Sequence, residues 1–250
     1  MPGRIYAFAN QKGGVGKTTT ALNLAACLAE AGERALVVDL DPQANATSGL
    51  GMRANGTSTY DLLDGAPLKE LAKPTRFANL FLVPSRPELA GAAVELSQRD
   101  DGERYLVRAL ADRDDFDFVL LDCPPSLGPL TVNALAAADR VVVPVQAEYY
   151  ALEGLAQLVQ SITLIKTRLN PKLSIAGVLL TMTDPRTRLS SDVEAEVRRH
   201  FGDLVFDAVV PRSVRVAEAP SHGLPVTHYD RRSRGAEAYW KVAMELVERS

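Results

Sequence analysis

The sequence predicts one α/β domain, a mainly parallel, twisted sheet flanked by helices. Three observations carry that expectation. Short apolar runs alternate with longer amphipathic stretches almost to the end of the chain. Several of those short runs are apolar at consecutive positions, as strands covered on both faces are. No linker rich in Gly, Ser or Pro divides the 250 residues, and no internal repeat is visible. Parallel strands need crossovers long enough to hold a helix, so this alternation reads as βαβ units within a single domain spanning residues 1–250.

Strands are expected at 5–9, 35–38, 80–83, 116–121, 141–145, 175–181 and 204–210. Helices are expected at 17–31, 87–98, 103–113, 130–138, 151–169, 189–201 and 235–249. The first of these carries Ala21, Leu22, Leu24, Ala25, Leu28 and Ala29 on one face. The last carries Tyr239, Trp240, Ala243, Leu246 and Val247. Segment 42–76 breaks the pattern with Gly49, Gly51, Gly56, Gly65 and Pro67, and is expected to be an irregular surface excursion that could move.

Composition excludes several classes. With 46% hydrophobic and 24% charged residues the chain is neither disordered, collagen-like nor a coiled coil. Its 28 Lys and Arg against 31 Asp and Glu exclude a wholly basic nucleic-acid coat, though not a local basic face. Cys27 and Cys123 are too few for a disulfide framework or a four-thiolate metal site, and suit a reducing cytosol. Residues 1–10 do not read as a signal peptide, and no run approaches the ~20 apolar residues that cross a bilayer. A soluble cytoplasmic protein is expected.

The decisive string is Asn10-Gln11-Lys12-Gly13-Gly14-Val15-Gly16-Lys17-Thr18-Thr19, between the first strand and the first helix. Phosphate oxygens need several donors converging from one side. Glycines let successive N–H groups turn inward, and a helix N-terminus adds its positive end. Lys17 then offers a cation to the β- and γ-phosphates, and Thr18 a hydroxyl to Mg²⁺. A glycine-rich turn with solvated lysines is the plainer alternative, but the strand–turn–helix setting favours a P-loop. The general P-loop pattern has Gly where Gln11 stands; here a second lysine, Lys12, opens the loop instead.

Two strands end in acids. Asp39 and Asp41 follow 35–38, and Asp122 closes the hydrophobic run 116–121 in the manner of a Walker B strand. Ligands of parallel α/β sheets sit beyond the carboxyl ends of the strands, so these acids should face the phosphate loop and hold Mg²⁺. Taken alone, each acid could equally be a turn or cap residue. Cys123 reads as a small packing residue beside the metal acid.

The string Lys12-Gly13-Gly14-Val15-Gly16-Lys17-Thr18 resembles the deviant Walker A ATPases. By that resemblance two subunits face each other with ATP between them. Lys12 reaches the partner's nucleotide, and Gly13 lies where the two loops approach closely. Residues 12–19 bind the nucleotide, with Val15 and Thr19 among them. Lys12, Lys17 and Asp41 carry the hydrolysis, Asp41 orienting or activating the attacking water. Thr18, Asp39 and Asp122 lie at the metal.

Residues 39–46, 122–126, 143–148, 151–154, 211–215 and 218–221 narrow the resemblance to the ParA/Soj partition ATPases, over nearly the whole chain. It implies an ATP-dependent homodimer that binds nonspecific double-stranded DNA on the nucleoid. A ParB/Spo0J-like partner then stimulates hydrolysis and release, and chromosomes or plasmids are segregated. It places the adenine near Met182 and Pro211, and makes Arg186 and Arg215 the DNA contacts. Charge supports this only in part. Between 208 and 235 five arginines (Arg212, Arg215, Arg231, Arg232, Arg234) stand against Glu218 and Asp230, but a solvated face of paired arginines would look the same. His200, His222 and His228 lack metal spacing and are expected at the surface.

Rival readings are a MinD-like membrane ATPase, an iron–sulfur protein of the same superfamily, and a metabolic P-loop enzyme. Helix 235–249 carries Lys241 and Arg249 against Glu237, Glu245 and Glu248, which does not suit an anionic bilayer. Iron–sulfur ligation needs paired cysteines, which Cys27 and Cys123 do not offer. No pocket for a metabolic substrate is evident. The phosphate loop starts at residue 11, so no N-terminal helix-turn-helix is expected and DNA binding should be indifferent to sequence.

Overall fold

The structure is a computed structural model that describes residues 3–148 and 151–249, with the side chain of Ala151 left out. Seven strands form one sheet: β1 (Arg4–Phe8), β2 (Ala35–Asp39), β3 (Lys73–Pro74), β4 (Leu80–Val83), β5 (Phe118–Asp122), β6 (Arg140–Gln146) and β7 (Ser174–Thr181). Their order is β3-β4-β2-β5-β1-β6-β7. All neighbours are parallel except β3 and β4.

Strand alternation divides the core in two. Ile5 and Ala7 of β1 point to one face with Leu36, Val38, Val119 and Leu121, while Tyr6 and Phe8 point to the other with Ala35, Val37 and Leu120. Each face is covered by helices, as consecutive apolar residues in the strands require. The register also sets the site. Asp39 pairs with Asp122 across β2 and β5, and Phe8 pairs with Asp122 across β1 and β5. Both acids and the chain leaving β1 therefore emerge at one edge of the sheet.

The principal helices are α1 (Lys17–Glu30), α5 (Leu89–Gln98), α7 (Pro129–Ala137), α8 (Ala151–Arg168), α9 (Arg188–Phe201) and α12 (Arg234–Glu248). Short ones intervene: α2 (Asn45–Gly49), α3 (Thr59–Leu63), α4 (Leu68–Leu71), α6 (Tyr105–Ala109), α10 (Val214–Glu218) and α11 (Val226–Tyr229). α12 buries Ala236, Tyr239, Val242, Ala243 and Leu246 in the core that it shares with α1. Its apolar face is therefore spent on packing. No helix of the described residues is long and apolar enough to cross a membrane.

Three expectations need correction. Segment 204–210 is not a strand: it makes single bridges to β7 at Val205, with Pro211 bridging to Thr183 just beyond it. The reason is visible in α12: Phe206 and Val210 donate to β7, but Glu245 accepts the N–H of Asp207 at 2.8 Å and that of Ala208, the ladder donor between them, at 3.0 Å. Helix 103–113 breaks into a 3₁₀ turn at Gly102–Arg104 and α6. Segment 42–76 is no irregular excursion but α2, α3, α4 and β3, with Leu62, Leu63, Leu68 and Leu71 in the core. α3 begins with a capping box, in which the Asp61 carboxylate accepts the Ser58 N–H and the Ser58 hydroxyl accepts the Tyr60 N–H.

Candidate active site

The loop after β1 is fastened before any ligand arrives. Asn10 is buried; its side-chain amide donates to the Pro144 carbonyl on β6 at 2.7 Å, and its oxygen accepts the Lys12 N–H at 3.0 Å. Thr181, ending β7, donates its hydroxyl to the Val15 carbonyl at 2.9 Å. Gly14 (φ 75°) and Gly16 (φ 88°) lie in the left-handed region, where a side chain is strained. Gly16 caps α1, so the curl directs backbone N–H groups and the helix end toward one place.

Lys17 is buried, with Nζ 3.2 Å from the Lys12 carbonyl across the loop. Burial lowers its pKa, and the nearby Asp122 opposes that shift. Asp122 is fully buried, and neither of its oxygens accepts a hydrogen bond among the described residues. Burial raises its pKa and the neighbouring Asp39 raises it further; Thr18 lies close and favours the charged form without reaching bonding geometry. An unpaired buried carboxylate is costly, and a hard divalent cation is the partner its oxygens fit. Asp41 stands at the rim of the same edge and accepts the Gln43 N–H at 2.9 Å. Asp39, expected near the metal, stands opposite Asp122 across β2 and β5 and accepts hydrogen bonds from Thr47 and the Asp41 N–H.

These residues surround a cavity of about 410 Å³ lined by Gly13, Gly14, Gly16, Lys17, Thr18, Thr19 and Asp41, with Gln43, Asn45 and Ser48 from the segment after β2. A smaller apolar cavity of about 140 Å³ shares Gly16, Thr19 and Met182 with it and adds Pro211 and Tyr239. The expected adenine residues Met182 and Pro211 therefore meet beside the phosphate loop. Met182 itself holds φ 52°, unusual for a residue with a long side chain. A larger cleft, about 850 Å³ between α9 and α12, contains Pro211 but none of residues 12–19.

The Lys12 ammonium is not used by its own cavity, and Gly13, though it lines the cavity, has room for a side chain. The Lys12 ammonium is absent from the lining and pairs with Glu148 at 2.6 Å, both side chains about half exposed (50% and 44%). A methyl placed on Gly13 would meet only Pro125 Cβ at 3.8 Å, an ordinary contact, and the backbone there is outside the left-handed region.

Arg186 and Arg215 are exposed but paired. Arg186 grips Asp184 through two bonds of 2.8 and 2.7 Å, and Arg215 lies 3.2 Å from Glu218 and 3.3 Å from Asp230. No ion pair engages Arg212, Arg232 or Arg234 among the described residues. Cys123 and Cys27 are buried, with thiol pKa values raised by burial, as packing residues should be. Asn10 and Thr181 are missing from the expected set. An Asn that accepts the N–H two residues ahead was a legible turn signal, whereas Thr181 reaches the loop only through the strand order.

Comparison with known proteins agrees with this geometry. A family model described as an AAA domain matches residues 3–175. The chain is 54% identical to the chromosome-partitioning ATPase Soj of Thermus thermophilus, over 98% of this chain and 96% of that one. It is 53% identical to the sporulation initiation inhibitor protein Soj of Bacillus subtilis, over 98% of each. A solved structure of cobyrinic acid a,c-diamide synthase from Mycobacterium smegmatis, with ADP and magnesium bound, superposes with a TM-score of 0.86 at 39% identity, over 98% of this chain and 94% of that one.

Proposed function

The chain belongs to the Soj/ParA family of chromosome-partitioning ATPases, and we propose that nucleotide acts in it as an adhesive between two copies of the chain. It is an ATPase that works on ATP with magnesium. The loop amides and Lys17 grip the β- and γ-phosphates, and the base lies against Met182 and Pro211. Thr18 and Asp122 hold the magnesium ion, which when bound neutralises and orients the phosphate oxygens. Asp41 orients the attacking water. Lys12 of each subunit crosses to the other subunit's triphosphate and stabilises the charge that develops there.

One observation carries this reading: the Lys12 ammonium lies outside the cavity that its own loop lines, and Gly13 lines that cavity with room for a side chain that it does not carry. A cation that points out of its cavity and a glycine that nothing in its own chain requires both become intelligible when a second loop arrives opposite. The Lys12–Glu148 pair is no obstacle, because half-exposed pairs are worth about 0–1 kcal/mol and a triphosphate offers more charge.

Arg186 and Arg215 bind DNA phosphates without regard to sequence, and closure of the dimer joins two such faces. Their present pairs with Asp184, Glu218 and Asp230 are exposed and exchange readily for phosphate. A ParB/Spo0J-like partner then triggers hydrolysis, the dimer opens, and DNA on the nucleoid is released. The packing of α12 onto α1 favours this over a MinD-like membrane role, since that helix commits Ala236, Tyr239, Val242, Ala243 and Leu246 to the core and leaves only Met244 and Val247 as large exposed apolar residues.

The test is the mass of the protein in light scattering with a nonhydrolysable triphosphate and magnesium. A dimer is expected, and retention on random-sequence DNA but not on anionic liposomes should accompany it. A monomer under saturation would overturn the reading.

A further inference from the structure

The Asp39 carboxylate, beside Asp122 at the sheet edge, is also held by the segment that follows it. Its Oδ2 accepts both the N–H of Thr47 at 2.8 Å and the Thr47 hydroxyl at 2.6 Å, and its Oδ1 accepts the Asp41 N–H at 3.2 Å. The Thr47 hydroxyl, having donated to Asp39, accepts the Ser85 N–H at 2.9 Å. Asp39, Thr47 and Ser85 are all 2% exposed or less, so this chain of bonds runs where water does not compete.

The chain of bonds closes a loop. Residues 39 and 47 are its two ends, and Asp41 is the carboxylate that it presents to the phosphate cavity. Inside it the Asp41 carbonyl accepts the Ala44 N–H at 2.9 Å, and Ala44 is held at φ 54°, a conformation an alanine does not keep unaided. Ser85 belongs to the turn after β4, so Thr47 also ties the loop to the neighbouring strand. Thr59 reinforces the same corner by donating to the Asp39 carbonyl at 2.7 Å.

We infer that Thr47 is a positioning residue for ATP hydrolysis: its hydroxyl, clamped between Asp39 and the Ser85 N–H, fixes the loop that aims Asp41 at the phosphate cavity. Thr47 touches neither nucleotide nor metal in this scheme; it acts through Asp41. The inference rests on the reading of Asp41 as the residue that orients the attacking water. A positioned group displaced by about 1 Å can cost on the order of 10²-fold in rate, whereas binding contacts elsewhere in the site are untouched.

The experiment compares Thr47→Val, which keeps shape and loses the hydroxyl, with Thr47→Ser, which keeps the hydroxyl. Single-turnover hydrolysis of labelled ATP by Thr47→Val should fall ~10- to ~100-fold while MgADP affinity stays within about threefold, a split that marks loss of alignment rather than of binding. Thr47→Ser should restore most of the rate. In an Asp41→Ala background the Thr47→Val change should alter the residual rate less than about twofold, because two residues acting as a unit do not add.

Amide exchange supplies a readout without turnover: the Ser85 N–H should lose protection in Thr47→Val and regain it in Thr47→Ser. Ser85→Ala is the control, since the Ser85 hydroxyl has no partner and its N–H survives the change. Unchanged hydrolysis in Thr47→Val, failure of Thr47→Ser to rescue, or parallel losses of rate and MgADP affinity would each overturn the inference. If Asp41→Ala hydrolyses as wild type does, the reading of Asp41 fails first, and the experiment reports that separately.

Discussion

Gly13→Val separates what a subunit needs from what a pair of subunits needs. Within one subunit the new Cβ meets nothing closer than 3.8 Å, and the backbone at Gly13 lies outside the left-handed region, so a β-carbon there introduces no backbone strain. Replacing a glycine at such a position removes freedom from the unfolded chain and stabilises by about 0.4–1 kcal/mol. For a chain of this size that corresponds to a rise in Tm of about 1–4 °C. Gly14 and Gly16 behave oppositely: at φ 75° and 88° an alanine carries a penalty of about 1–2 kcal/mol each, and the loop that holds the phosphates distorts. The assay is paired: MgADP affinity by calorimetry and Tm for the single subunit, then mass by light scattering with a nonhydrolysable triphosphate for the pair. Gly13→Val should keep the first two within error or slightly improved, and should stay monomeric in the third. A Gly13→Val dimer as stable as the wild type, or a Tm several degrees lower, would refute the assignment of this glycine to the subunit interface.

Lys12→Ala removes one half-exposed ion pair worth about 0–1 kcal/mol, so Tm should move by no more than ~4 °C while triphosphate-dependent dimers disappear; normal dimers would place Lys12 outside the interface. Arg215→Glu should retain dimers and lose DNA. Arg186→Ala should flatten the slope of log affinity against log salt by ~0.9 for each phosphate that a subunit no longer neutralises; an unchanged slope in filter binding would show that Arg186 meets no phosphate. Asp122→Asn should raise the Tm of metal-free protein. The sign follows from the shifts: burial holds Asp39 and Asp122 above their unfolded pKa near 3.8, Asp39 at about 6, so stability present at low pH is lost as pH rises through those values. The Tm advantage of Asp122→Asn over wild type, measured with chelator present, should therefore grow as pH rises above the unfolded carboxylate value of about 3.8; a constant difference would show that Asp122 is not a buried charge in need of a cation.

The parts of the site that lie on consecutive residues were legible in the sequence, and the parts that depend on strand order were not. Gly14, Gly16 and Lys17 announce themselves because local backbone geometry and one helix N-terminus account for them. Asp39 and Asp122 were readable as acids at strand ends, but their direct opposition across β2 and β5 is a matter of register, and so is the burial that raises both pKa values. Thr47 had no sequence signal: eight residues separate it from the Asp39 that it clamps, with no periodic pattern between them. Segment 42–76 misled because its glycines are conspicuous, while Leu62, Leu63, Leu68 and Leu71 are too sparsely spaced to read as core. Segment 204–210 misled because its apolar run suits a strand, and the carboxylate of Glu245 that takes the Ala208 ladder donor comes from a helix about forty residues on.

The asymmetry of the site indicates which half of it changes state. Asn10 and Thr181 hold the phosphate loop to β6 and β7, so the loop is built before nucleotide binds and gains little by moving. The metal side is different: Asp122 is buried without a donor, and Asp39 beside it is satisfied only because Thr47 and the Asp41 N–H supply three hydrogen bonds. Two carboxylates facing each other in a dry edge of the sheet repel until a cation arrives, and the strained Ala44 turn follows Asp39 in the chain, tied to the Asp41 carbonyl. Ligand-driven rearrangement should therefore concentrate in residues 39–47, not in residues 10–16. That segment also lines the phosphate cavity through Asp41, Gln43 and Asn45, so it is where occupancy of the cavity can alter the surface that a second subunit meets.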